Sequence, residues 1–151
     1  MRRRGPALLA LAVLAFSAGA GAADLDAPMR AELRRGMAAA AHWASDAPAL
    51  RLERQTREPS AAFSLGAALA AWINAAAQLD YDLKTPSGDG DDSEAIHLDC
   101  VDEALALDHL EAGRKALGVT PAEVLGAAAA FGPDILDAWR VRQSAVPKGC
   151  R

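Results

Sequence analysis

Carboxylates are the reactive side chains that this sequence concentrates most strongly. Residues 80–111 contain eleven Asp and Glu residues but only one lysine or arginine, Lys84. Such a segment offers oxygen ligands to Ca²⁺, which takes about six to eight of them. It also offers a docking face to a basic partner, since opposite charge speeds and orients association. The candidate partner-binding residues, all acidic, are Asp80, Asp82, Asp89, Asp91, Asp92 and Glu94.

The calcium interpretation does not fit the register of an EF-hand loop. Counted from Asp89, the sixth position is Glu94 instead of the glycine that the turn requires, and the twelfth is Cys100 instead of the closing glutamate. Runs of charge are most often solvated faces, and arginines earlier in the chain offset part of this one. Three interpretations therefore stay open: a solvated loop and helix face, a docking face for a basic protein, and a calcium site.

The two cysteines, Cys100 and Cys150, are the second candidate for chemistry. In an exported protein two cysteines usually pair, and a bridge that closes about 50 residues stabilises by roughly 4 kcal/mol in the chain-entropy model. We therefore predict a disulfide that attaches the C-terminal tail to the helix over 93–117, which carries Cys100. The alternative is a thiol or metal centre, because His97, Asp99 and His109 lie close to Cys100 in sequence.

Nothing else in the sequence has the spacing of a catalytic or cofactor site. No two histidines stand four residues apart, and the chain has no Gly-x-Ser-x-Gly, His-Glu-x-x-His, Cys-x-x-Cys-His or phosphate-binding glycine loop. We predict a non-enzymatic protein without a cofactor. The alternative is a small-ligand, haem or metal carrier, with a pocket between Met37, His42 and Trp43 on one helix and Trp72 on another.

Two short segments resemble known families. Cys100, the sequence GVTPAEV at 118–124 and Cys150 resemble small helical, disulfide-stapled periplasmic immunity proteins that neutralise wall-degrading amidase toxins. Here Val-Asp-Glu-Ala-Leu follows Cys100, where that family carries an aromatic-glycine signature, so the resemblance implies only a binding role, inhibitory or immunity-like. The segment around Met29 resembles the start of exported b-type haem bundle cytochromes. No histidine follows His109 to supply the second iron ligand.

The N-terminus has the pattern of a secretory signal peptide. Three arginines at positions 2–4 precede an apolar segment at 7–16, and small residues lead to a predicted cleavage after Ala22. We expect residues 1–22 to be removed and the product to be periplasmic or secreted. The remaining residues, 23–151, suffice for one domain with its own core. Loss of the three arginines changes the net charge from −4 to −7, which argues against a nucleic-acid partner.

The elements that position these groups are predicted to be helices around one apolar segment. Residues 61–79 carry no charge and are rich in alanine, and Ser60 is suited to cap them. A helix that is apolar all round is buried all round or lies in lipid. The segment has the minimum length for a membrane span, but it contains few large aliphatic residues. We therefore predict a buried central helix and no stable span in the mature chain.

The other helices complete a predicted all-α bundle of about five helices. Thr120 and Glu123, with a proline between them, predict a capping box. The helix over 93–117 either continues through Asp99 or restarts there as a new N-cap. The predicted helices, besides the central one, cover residues 27–44, 47–57, 93–117, 121–131 and 134–144.

The function that these patterns favour is protein binding in the cell envelope. The acidic residues supply the docking face, the alanine-rich core supplies the scaffold, and the expected partner is a protein with a basic surface.

Overall fold

The computed structural model describes residues 25–42, 53–54, 60–85, 93–129 and 133–151. Within these ranges there are five α-helices and no strand, so the predicted all-α fold is confirmed. The helices are α1 (Ala27–His42), α2 (Ala61–Lys84), α3 (Ser93–Leu117), α4 (Pro121–Ala128) and α5 (Pro133–Ser144), followed by a 3₁₀ turn at Lys148–Cys150. Three predictions lie outside the described residues: the signal peptide, most of the helix over 47–57, and the side chains Asp89, Asp91 and Asp92.

The helix starts follow the local signals in the sequence. The Ser60 hydroxyl accepts a 3.2 Å hydrogen bond from the Phe63 N–H at the start of α2. The predicted capping box of α4 is present: the Thr120 hydroxyl accepts from the Glu123 N–H, and the Glu123 carboxylate accepts from the Thr120 N–H at 2.6 Å. Such side chains satisfy backbone donors that have no partner inside the helix.

Two helix ends differ from the prediction. The central helix α2 continues to Lys84 instead of stopping at Leu79, because paired polar side chains four residues apart support its last turn. The Lys84 ammonium lies 2.9 Å from the Asp80 carboxylate in this turn. Helix α4 ends at Ala128, three residues early, where Ala129 adopts the left-handed conformation at φ 56°. Helix α3 runs unbroken through Asp99, which decides between the two alternatives in favour of a continuous helix.

The core forms around α2, which packs against α1 on one side and α3 on another. The contact with α1 is a contact between backbones. A Cβ atom on Gly36 of α1 would lie 1.9 Å from the Phe63 carbonyl oxygen, and a Cβ on Gly66 of α2 would lie 1.8 Å from that of Leu33. Only glycine fits at both positions. The buried apolar core that results includes Leu33, Leu65, Leu69, Trp72, Leu110, Val119, Val124 and Trp139.

Helix α2 is long and apolar enough to cross a membrane by length and composition alone. In this fold, 56% of its apolar window is buried by the other helices. The core helix of a compact domain has the same properties, so the absence of a stable membrane span stays a prediction.

Candidate functional site

Two buried tryptophans lie at the centre of the candidate site. Trp72 on α2 and Trp139 on α5 pack with their ring centroids 5.8 Å apart and their planes tilted by 45°. Both side chains are almost completely buried. A buried indole N–H needs an acceptor, and here each one donates to a glutamate of α3. The two helices are therefore joined to α3 through carboxylates in the interior.

Glu103 is the first of these acceptors, and it is completely buried. Its carboxylate accepts a 2.8 Å hydrogen bond from the Trp72 indole, a 2.9 Å bond from Arg142 Nε, and a further bond from Arg142 Nη2. This two-point ion pair with a guanidinium is the strong geometry for a carboxylate. Arg142 is itself 17% exposed, and its third donor group, Nη1, bonds to the Ala145 carbonyl at 3.1 Å.

Glu111, two turns along α3, is the second acceptor. It accepts from the Trp139 indole at 2.5 Å, from Arg114 Nε at 3.0 Å and from the Gln143 amide at 2.6 Å. Burial alone raises the pKa of a carboxyl, but the hydrogen bonds from Arg114, Gln143 and Trp139 outweigh it and lower the pKa of Glu111. Glu111 is therefore a charged structural anchor at neutral pH rather than a proton donor.

A groove of about 640 Å³ opens beside Trp72 and the Glu103–Arg142 pair. One wall is the C-terminal half of α2 and the other is α5, while the C-terminal tail closes one end. Its size lies within the range of about 300–1,000 Å³ that is typical of ligand sites. The residues that line it are mostly small or aliphatic, and they include Ile73, Ala76, Leu83, Ile135, Ala138, Val141 and Val146.

The tail that closes this groove is held by the predicted disulfide, which is confirmed. Cys100 on α3 is bonded to Cys150, with their Cα atoms 5.7 Å apart. The residues before Cys150 form the boundary between the groove and a second cavity of about 200 Å³, since Val146 and Pro147 line both. Because both sulfurs are in the disulfide, neither is available as the thiol of the alternative interpretation.

The predicted docking residues that the structure describes lie near the end of α2 and the start of α3. Asp80 is exposed and paired with Lys84, and Glu94 is exposed in the first turn of α3. Asp82 accepts a 2.9 Å hydrogen bond from the Gln78 amide. Asp80, Asp82 and Glu94 thus occupy the two helix ends on either side of residues 86–92, so the structure brings these three candidates to one end of the bundle.

Asp82 and Asp99 join these two helix ends through a hydrogen bond between their side chains. Desolvation raises the pKa of Asp99 to about 6, with the Asp82 hydrogen bond and the charges of Asp82 and Asp102 adding to the shift. The same bond lowers the pKa of Asp82. The second Asp99 oxygen, Oδ2, is buried without a hydrogen-bond partner. The carboxyl groups of Asp82 and Asp99 therefore interact where α2 meets α3.

Of the residues of the predicted carrier pocket, the structure describes Met37, His42 and Trp72, whereas Trp43 lies outside the described residues. No group of three or more His, Cys, Asp or Glu side chains within them is arranged to hold a metal ion. His97 is exposed, and burial lowers the pKa of His109. Met37 packs against the core and His42 is exposed, whereas Trp72 faces the groove beside α5.

Sequence reasoning assigned Glu103 and Glu111 to the acidic surface and did not identify Arg142. A signal was present, because a buried tryptophan needs an acceptor for its indole N–H. The sequence does not show that Trp72 and Arg142 donate to Glu103, since these donors lie 31 and 39 residues away from it.

No protein-family model, curated protein or solved structure matches this chain. The function is therefore argued from the surfaces and cavities described above.

Proposed function

We propose that this protein is an exported, non-enzymatic binding protein that acts by contact with a protein carrying a basic surface. The binding surface consists of the adjoining ends of α2 and α3 together with the acidic loop between them. In this role it is inhibitor-like or immunity-like, because its effect comes from occupying the partner.

The observation that carries the proposal is the set of exposed apolar side chains among these acids. Tyr81 and Leu98 are each 61% exposed, and Val101 is 51% exposed. Tyr81 is next to Asp82 in sequence and Leu98 is next to Asp99, so these exposed apolar side chains belong to the same two helix ends as the acids. An exposed apolar group with a polar rim is typical of a protein interaction site.

Charge supports a basic partner. Residues 80–94 carry six acidic side chains and one lysine, and Lys84 already pairs with Asp80. The remaining acids supply negative potential around the apolar side chains, which steers a positively charged partner and sets its orientation. Tyrosine is among the residues most enriched in interface centres, so Tyr81 is the expected anchor.

Site-specific photocrosslinking tests the proposal in cells that make the protein. A photoreactive phenylalanine analogue replaces Tyr81, and as a matched control it replaces Ala38 on the exposed face of α1. We expect one discrete adduct from position 81, absent from position 38, and strongly reduced when Asp89, Asp91 and Asp92 are changed to lysine. No adduct, equal adducts at both positions, or capture that is insensitive to the three lysines would reject the proposal.

A further inference from the structure

We propose that the groove between α2 and α5 is a second, independent binding site, and that it takes a single hydrocarbon chain ending in a carboxylate, as in a long-chain fatty acid. This site does not depend on the protein-binding surface. It lies on the side of α2 that faces α5 and the tail.

The dimensions of the groove select an extended chain. Residues 72–83 of α2 and residues 134–145 of α5 form its walls, and eleven residues of helix rise about 16 Å. The groove is therefore elongated, since its volume of about 640 Å³ lies along walls of this length. A single extended hydrocarbon chain of similar length fits between the walls.

The charges inside the groove are already neutralised. Arg142 pairs with Glu103, and its Nη1 group donates a hydrogen bond to the Ala145 carbonyl. Asp80 at the rim of the groove pairs with Lys84. A ligand segment between these walls meets no free charge, so burial favours an uncharged, apolar segment. The alanines and branched aliphatic residues of the walls fit a hydrocarbon chain.

Lys148 fixes which end of the ligand carries charge. Its side chain lies at the end of the groove that the tail closes, and it has no ion pair within the described part of the chain. Asp134 also lines the groove and lies in the first turn of α5, about 15 Å along the helix axis from its last residue, Ser144, and the tail with Lys148 follows that residue. A carboxylate head group is attracted to Lys148 and would be repelled by Asp134. The chain is therefore oriented with its methyl end towards Asp134.

The disulfide makes this site complete. Val146, Pro147 and Lys148 supply its closed end, and they are held in place through Cys150, while Gly149 packs against the Leu83 side chain. Without the bridge, the tail that carries Lys148 is tethered only through α5. Affinity for the carboxylate should therefore depend on the oxidised state of the protein.

Isothermal titration calorimetry of the oxidised protein with myristate, below the critical micelle concentration, tests the site. We expect one equivalent to bind. Ala138→Phe, which fills the groove from an exposed position, should weaken binding at least tenfold, whereas the matched variant Ala38→Phe on α1 should leave it unchanged. Absence of binding, or equal effects of the two variants, would overturn the proposal.

The head group is tested with ligands of one chain length. Lys148→Ala should weaken myristate binding by up to about fivefold, the range of an exposed ion pair, and leave tetradecanol unaffected. Tighter binding of tetradecyltrimethylammonium than of myristate would overturn the assigned polarity. Cys150→Ala should reproduce the loss seen for Lys148→Ala with myristate, and an unchanged affinity would show that the tail contributes nothing to the site.

Discussion

The two halves of α2 are packed in opposite ways. In the N-terminal half, Gly66 lies against the backbone of α1 and Gly36 of α1 lies against the backbone of α2. In the C-terminal half, the neighbour α5 is held apart by the Trp72–Trp139 pair, and the groove opens between the helices. The size of the side chains at the contact sets the distance between two helices. Glycine is the smallest residue and tryptophan the largest.

This difference also determines where polar groups are buried. The glycine contact between α1 and α2 needs no buried side-chain donor or acceptor. The tryptophan contact introduces two indole N–H groups into the interior, and Glu103 and Glu111 accept from them. Each carboxylate in turn needs an arginine, since a buried charge without a partner is costly. Wide packing therefore requires an ionic network, and the Glu103–Arg142 pair of that network lines the groove.

The tight half should be the less tolerant of the two. Gly66→Val places a branched side chain where even a Cβ would lie 1.8 Å from the Leu33 carbonyl oxygen. Because two backbones would have to separate, we expect a loss of about 4–5 kcal/mol in the free energy of unfolding, the upper end for single substitutions. Urea denaturation followed by circular dichroism measures it.

Gly126→Ala is the matched control. This glycine is in α4, and a Cβ there would meet nothing within 4 Å. Since alanine is the better helix former, the control should gain up to about 1 kcal/mol. A Gly66 variant as stable as the control would show that α1 can move away from α2 at little cost.

In the C-terminal half of α2, the loss of stability should depend on which partner of the Glu103–Arg142 ion pair is removed. Arg142→Ala leaves the carboxylate of Glu103 buried with no counter-charge, and we expect a loss of about 3–4 kcal/mol. Glu103→Ala leaves Arg142, which is 17% exposed and can turn to water, but it also leaves the buried Trp72 indole without an acceptor. Its cost should therefore be about 1–3 kcal/mol, that of an unsatisfied buried donor. Thermal and urea unfolding of both variants measure the difference.

The double variant Glu103→Met, Arg142→Met separates charge from packing. It removes both charges and keeps similar volume, so it should be more stable than Arg142→Ala. If the double variant were the least stable of the three, the ion pair itself would be a net source of stability in this half.

The two halves were also unequally predictable from the sequence. The capped start of α2 follows from Ser60, and its buried apolar surface follows from the uncharged composition of the segment. The disulfide follows from the presence of two cysteines in a chain expected to be exported. The depth of Glu103 does not follow from local features, because in sequence it is one acid among many. Its burial depends on Trp72 and Arg142, whose approach is decided only when three helices pack together. For Gly66 the limit is narrower: its four-residue spacing with Ala62 and Ala70 predicts close helix packing, but the sequence does not identify the helix that it meets.

The disulfide should stabilise less than its loop length implies. The tail after Ala145 contacts the rest of the protein mainly through Cys150 and through Gly149 against Leu83. Once the bridge is broken, the tail gains freedom in the folded state too, so Cys150→Ser should cost about 2 kcal/mol rather than the roughly 4 kcal/mol of the chain-entropy model. Truncation after Ala145 should give the same unfolding midpoint as Cys150→Ser. A much less stable truncation would mean that the tail packs independently of its bridge.

The smallest effect should come from the hydrogen bond at the open end of α2. The folded-state pKa of Asp99 is raised from 3.8 to about 6, so the folded protein holds this proton more tightly than the unfolded chain does. The resulting stabilisation is complete below about pH 4 and is lost as the pH rises through 6. The lowered pKa of Asp82 acts in the opposite direction, over a more acidic range. Asp99→Asn keeps a hydrogen-bond donor without the titration. It should therefore raise the free energy of unfolding at pH 7.5 by on the order of 1 kcal/mol after solvent screening. At pH 4.5 the free energy of unfolding should change little. If Asp99→Asn had equal effects on stability at both pH values, titration of Asp99 would not contribute to the stability of the contact between α2 and α3.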